Sequence, residues 1–186
     1  MTFRLIAAAM VLAALAGAAP AAADPGEPLY DLVDAAAQRL QTADPVAASK
    51  WLSGGPITDP ARVAQVLAQV SSEAETGGVP RDYVTTVFTD QINATEGIQY
   101  SRFAGWKFDS ATAPVVAPDL SASRSVIDTL NHRMVDQIGV QWPVLHSPEC
   151  ATDLADAKAV VTAQRGFDDL YRAALDVASR SYCPAG

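Results

Sequence analysis

The sequence predicts an all-α protein, a single-domain bundle of about six helices. Three observations carry that prediction. Apolar residues recur at helical spacing along the chain, as in Val63, Val66, Leu67 and Val70. Helix punctuation such as Asp44-Pro45, Asp59-Pro60 and Gly77-Gly78 falls between those runs. No stretch gives a convincing period-two strand.

The elements follow in order. Met1 to Ala23 carries one positive charge, Arg4, an apolar run from Leu5 through Ala19, and Ala21-Ala22-Ala23 before Asp24. It reads as a secretory signal cut after Ala23, the alternative being a retained membrane anchor. No later segment is long and apolar enough to span a bilayer. Leu29, Leu32, Val33, Ala36 and Leu40 mark the first helix. Asp44 then caps a short helix bearing Lys50 and Trp51, which Gly54-Gly55-Pro56 breaks. Asp59-Pro60 opens a third helix, and Gly77-Gly78 ends it. Pro80 to Trp106 reads as one long helix, and Lys107 to Pro118 as a loop. Asp119 or Ser121 caps a helix with Leu120, Ile127, Leu130, Met134 and Ile138. After Trp142-Pro143 come two more helical segments, roughly 150–164 and 167–182.

Cleavage removes Arg4 and no acid, so the formal charge falls from −8 to −9 in a mature chain of residues 24–186. That acidity argues against nucleic acid and against anionic membrane surfaces as partners. The signal also implies an oxidising compartment, where a bond between the two cysteines, Cys150 and Cys183, is the default. It would close a loop of about 34 residues, worth roughly 3–4 kcal/mol by chain entropy. The alternative is a pair of free buried thiols.

Within the long helix, Gln99 is the informative residue. At about 100° per residue, Phe88, Ile92, Phe103 and Trp106 all fall within about 40° of it, and Thr95 lies one turn before. A buried amide without a partner costs roughly 1–3 kcal/mol. Gln99 is therefore satisfied by another core group or offered to something that enters the core. Four cations, Arg39, Lys50, Arg62 and Arg124, each sit beside an apolar helical face. Singly, each reads as a long side chain lying along apolar surface with its head in water. Together with Gln99 they suggest one cationic pocket between helices, suited to a small polyanion whose carboxylates bind guanidinium groups bidentately. His132 and His146 lack ligand spacing, so no metal site is expected. No G-x-S-x-G, P-loop or dinucleotide motif is present. Asn93-Ala94-Thr95 matches a glycosylation sequon but falls mid-helix.

The order Arg39, Lys50, Asp59-x-x-Arg62 and Thr95-x-x-x-Gln99 resembles the all-α chorismate mutases. The stretches from Val33 to Leu40, Ala43 to Trp51, Ala94 to Phe103 and Asp119 to Arg124 are similar to the secreted subclass. The resemblance spans nearly the whole mature chain. It implies an exported helical homodimer with a complete active site in each protomer, a catalytic part at about 29–140, and disulfide-pinned C-terminal helices at about 150–183. It further implies rearrangement of chorismate to prephenate with no cofactor. Arg39 and Arg124 would take the substrate carboxylates, and Lys50 and Gln99 would donate to the ether oxygen. Arg62, with backbone near Asp59, would line the ring, and Thr95 could bond a carboxylate. Cytosolic members of the family carry a Glu directly after the arginine matched by Arg62. Here Val63 stands there and Val66 on the next turn, leaving Gln65 as a candidate partner for the ring hydroxyl. The sequence leaves two rival readings. One is a non-catalytic exported protein that binds a dicarboxylate. The other is a structural or interaction protein whose inward cations are all salt-bridged.

Overall fold

The computed structural model describes residues 27–184, so the secretory-signal reading of residues 1–23 lies outside the described residues. Among the described residues there are seven α-helices of eleven residues or more, one single-turn α-helix and a 3-10 turn at Ser110–Thr112. The α-helices are α1 (Tyr30–Gln41), α2 (Ala43–Ser53), α3 (Pro60–Thr76), α4 (Arg81–Phe108), α5 (Leu120–Val140), α6 (Trp142–Leu145), α7 (Cys150–Arg165) and α8 (Asp169–Ser179). No strand occurs among the described residues.

The long helix α4 is the axis of the bundle, packing against α1, α2, α3 and α8, while α5 closes over α1, α2 and α3. Its apolar residues Val84, Val87, Phe88, Ala94 and Ile98 join Leu32, Val33 and Leu40 of α1 and Met134, Val135 and Ile138 of α5 in one core cluster. Burial of such faces, at about 25 cal/mol per Å² of apolar area, is the main force holding the helices together. The C-terminal helices brace the far side of α1, and Leu175, Ala178 and Tyr182 are fully or almost fully buried there. Cys150, at the start of α7, is disulfide-bonded to Cys183, beyond α8.

The local chemistry explains most of the boundaries. Asp59 caps α3 by accepting from the Arg62 backbone N–H at 3.1 Å, with Pro60 in the first turn. Asp119 caps α5 through the Ser121 N–H. Asp168 does the same for α8 through the Tyr171 N–H.

Asp44 is not the cap that the sequence suggests. Helix α2 begins at Ala43 with Thr42 in the cap position, two residues before Asp44, and Thr42 alone separates it from α1. The Thr42 hydroxyl and N–H both donate to the Arg39 carbonyl, which leaves the Asp44 carboxylate free to pair with Arg102 of α4. Leu29 also differs from the expectation that it belongs to the first helix. It precedes α1 with φ 61°, a left-handed conformation unusual for leucine, and is held there with its side chain fully buried.

Candidate active site

A cavity lies between α1, α2, α3, α4 and α5. All seven polar residues singled out from the sequence line it: Arg39, Lys50, Asp59, Arg62, Thr95, Gln99 and Arg124. Val46, Ile57, Val63, Val66, Ile92, Leu120 and Ile127 supply its apolar wall. Four cations against the carboxylates of Asp59 and Glu96 leave a net lining charge of +2, although the sequence as a whole carries −8.

Arg39 defines the floor. It is only 4% exposed. Its Nε donates to Asn131 Oδ1 at 2.7 Å, and its NH1 donates to Thr95 Oγ1 at 3.2 Å and to the Gln91 carbonyl at 3.5 Å. All three acceptors are neutral. Every other arginine among the described residues has a carboxylate within 4 Å, and Arg39 has none. Burial therefore pulls its pKa down to about 10, and the nearby Arg62 charge adds to the effect. At neutral pH the guanidinium is still charged.

Lys50 is half-buried on α2, and its Nζ donates to the Ile57 carbonyl at 2.5 Å. It also has no carboxylate within 4 Å. Burial lowers its pKa, while the charges of Glu96 and Asp59 work against that shift. Arg62 and Arg124 differ from these two. Arg62 pairs with Asp128 of α5, and Arg124 with Asp59 at 3.4 Å. The fully salt-bridged reading of the inward cations thus fails at Arg39 and Lys50.

Gln99 is 4% exposed, and neither atom of its amide finds a partner in the protein; Oε1 is among the few orphaned buried atoms. A buried polar group in that state is costly unless a ligand satisfies it. Gln65 does not line the cavity. It is exposed, and its Oε1 accepts from Arg62 NH1 at 3.1 Å. Val63 and Val66 form wall at that end.

Sequence reasoning passed over three polar residues. Glu96 lines the cavity beside Lys50 and accepts from the Thr58 hydroxyl at 2.9 Å, tying the α2–α3 loop to α4. Gln91 is fully buried and donates from Nε2 to the Ala36 carbonyl. Asn131 is fully buried beside Arg39. Periodicity held a signal for two of them. Gln91, Thr95 and Gln99 form an i, i+4, i+8 polar row on α4, and Asn131 lies seven residues after Arg124 on α5. Among the described residues no cluster of three or more metal-ligating side chains occurs, and no helix is long and apolar enough to cross a membrane.

The chain as a whole is similar to known proteins. Residues 30–100 match the family model of chorismate mutase type II. A secreted chorismate mutase of Mycolicibacterium smegmatis is 57% identical over 178 residues, covering 95% of this chain and 98% of the relative. One of Mycobacterium tuberculosis is 52% identical over 165 residues, covering 89% of this chain and 83% of the relative. Among solved structures, a chorismate mutase from Burkholderia phymatum superposes with a TM-score of 0.80 at 32% identity, covering 84% of this chain and 96% of that one. That from Burkholderia thailandensis gives 0.78 at 35% identity, with coverages of 83% and 98%. This chain belongs to the type II chorismate mutase family, in its secreted subclass.

Proposed function

We propose that this chain is an exported chorismate mutase that rearranges chorismate to prephenate in the cavity between α1 and α5. The carrying observation is Arg39, a buried cation without a carboxylate partner. An unpaired buried charge is strongly unfavourable unless a counter-charge arrives. The net lining charge of +2 suits a substrate with two carboxylates.

The reaction is a [3,3] rearrangement inside one molecule. The ether C–O bond breaks as a C–C bond forms, and no proton, electron or second reactant is exchanged. The protein has two tasks: to hold the substrate in a compact chair, and to stabilise the negative charge that grows on the ether oxygen. Arg39 and Arg124 take the two carboxylates and fold the enolpyruvyl arm over the ring. Lys50 and Gln99 donate to the ether oxygen, so their bonds strengthen in the transition state. Arg62 and the backbone near Asp59 line the ring and hydroxyl end, and Thr95 lies beside the Arg39 carboxylate site. No metal or cofactor has a part in this scheme.

In this reading residues 1–23 direct export and are removed, leaving 24–186 as the mature domain. Residues 29–140 form the catalytic part, and residues 150–183 brace it. The mature chain forms a homodimer with a complete site in each protomer. Sedimentation of the mature chain at micromolar concentration measures that state directly. Turnover is tested by following the loss of chorismate absorbance and identifying prephenate by NMR. Prephenate formation by the wild type, and its loss in Arg39→Ala, is the expected result. A folded wild type with no turnover above background, yet stabilised thermally by prephenate, would leave the non-catalytic dicarboxylate binder instead.

A further inference from the structure

Asn131 lies outside the cavity lining, yet it makes the shortest of the hydrogen bonds to the Arg39 side chain. It is fully buried on α5, and its Oδ1 accepts from Arg39 Nε at 2.7 Å. Its own Nδ2 finds no partner, so a buried donor has been left unsatisfied in order to present that oxygen. Such an orphan costs stability, and a residue kept at that cost needs a reason.

The surroundings of Arg39 supply one. Thr95 and Gln91 of α4 contribute neutral acceptors. The charges that act on Arg39 are Arg62 on α3 and Asp128 on α5, and Asp128 is already paired with Arg62. Tyr182, after α8, is fully buried, and burial raises its phenol pKa far above the usual range, so it stays neutral. The two N–H groups of Arg39 NH2 make no hydrogen bond within the protein.

We propose that Asn131 is a positioning residue for Arg39. It fixes the guanidinium through Nε and leaves NH2 free for a substrate carboxylate, without neutralising the charge that attracts it. Aspartate would occupy nearly the same space and accept the same bond. Its carboxylate, however, would form a buried ion pair and compete with the substrate for Arg39. Leucine would match the volume and give no acceptor. This proposal rests on the assignment of Arg39 as a carboxylate-binding group.

The test is steady-state kinetics with chorismate, alongside melting temperatures, for the wild-type mature chain, Asn131→Leu and Asn131→Asp. KM should rise about tenfold or more in Asn131→Leu, with kcat changing less, as expected for loss of a hydrogen bond to a charged group. KM should rise at least as far in Asn131→Asp even though its acceptor is retained. Wild-type KM in either folded variant overturns the proposal. So does a loss of kcat/KM in both that merely tracks their melting temperatures, because that is a packing role. If Asn131→Leu does not fold, Asn131→Asp decides alone: raised KM supports the proposal, and unchanged KM overturns it. Inactivity of the wild type would instead refute the proposed function, so the two failures are separable.

Discussion

The Thr95 hydroxyl accepts from Arg39 NH1 at 3.2 Å while spending its own proton on the Gln91 carbonyl at 2.8 Å. A hydroxyl has one proton to give. With that proton committed to α4, a lone pair is turned toward Arg39. Thr95 therefore braces the guanidinium, and bonding a carboxylate itself would require the hydroxyl to rotate. Thr95→Val, nearly equal in size, should raise KM about tenfold with a smaller change in kcat, and Thr95→Ser should restore it. Chorismate saturation curves of the three proteins measure this. A loss confined to kcat would instead place Thr95 at the breaking bond.

The pH profile separates Gln99 from a carboxylate. An amide, a guanidinium and an ordinary lysine do not titrate near neutrality, so kcat/KM should be flat from about pH 5 to pH 8. Lys50 donates as a cation, and burial lowers its pKa below the ordinary 10.5. The alkaline decline should therefore begin below that value as Lys50 loses its proton. The groups facing Lys50 are Glu96 on α4, Asp59 before α3 and Arg124 on α5. Gln99→Glu should give a profile that falls as pH rises, because a carboxylate donates only when protonated. Gln99→Ala should be impaired at every pH. A flat profile in Gln99→Glu would remove Gln99 from the reacting atoms.

The Cys150–Cys183 bond closes a loop that shares no residue with the cavity lining. Its loss should cost roughly 3–4 kcal/mol by chain entropy, a fall of about 10 °C in Tm for a domain of this size. Differential scanning calorimetry with and without reductant checks this. Activity at low temperature should persist. Immediate inactivation where the fold survives would give the bond a catalytic or gating role.

Much of the fold was legible because its signals are local. Asp59-Pro60 and Asp119 mark starts that the structure keeps, and Gly77-Gly78 marks the end of α3. Asp44-Pro45 misled by two residues, because the Thr42 turn and the Arg102 pair are tertiary facts that a cap pattern does not contain. The single-turn α6 is too short to show periodicity. At the site, cations beside apolar faces on separate helices pointed to a shared pocket. Their partners were harder to read. The sequence does not say that Asp128 would meet Arg62 while Arg39 met only neutral acceptors. Asn131 was hidden because the apolar spacing of Leu130, Met134 and Ile138 already accounted for its helix. The inward Gln91 and Asn131 gain meaning only once Arg39 is placed beside them.

If fixed donors, with no metal and no cofactor, stabilise the charge that develops on the breaking bond, turnover survives chelation and depends on Lys50. The most direct measurement is kcat for chorismate in EDTA, for the wild type, Lys50→Ala and Arg62→Ala. The wild type should keep full activity under chelation. Lys50→Ala should lose about 10²–10³ in kcat, the usual cost of one preorganised donor. Arg62→Ala should lose far less kcat, because Arg62 also holds the ground state. Metal-dependent turnover, or equal modest losses confined to KM in both variants, would contradict the account.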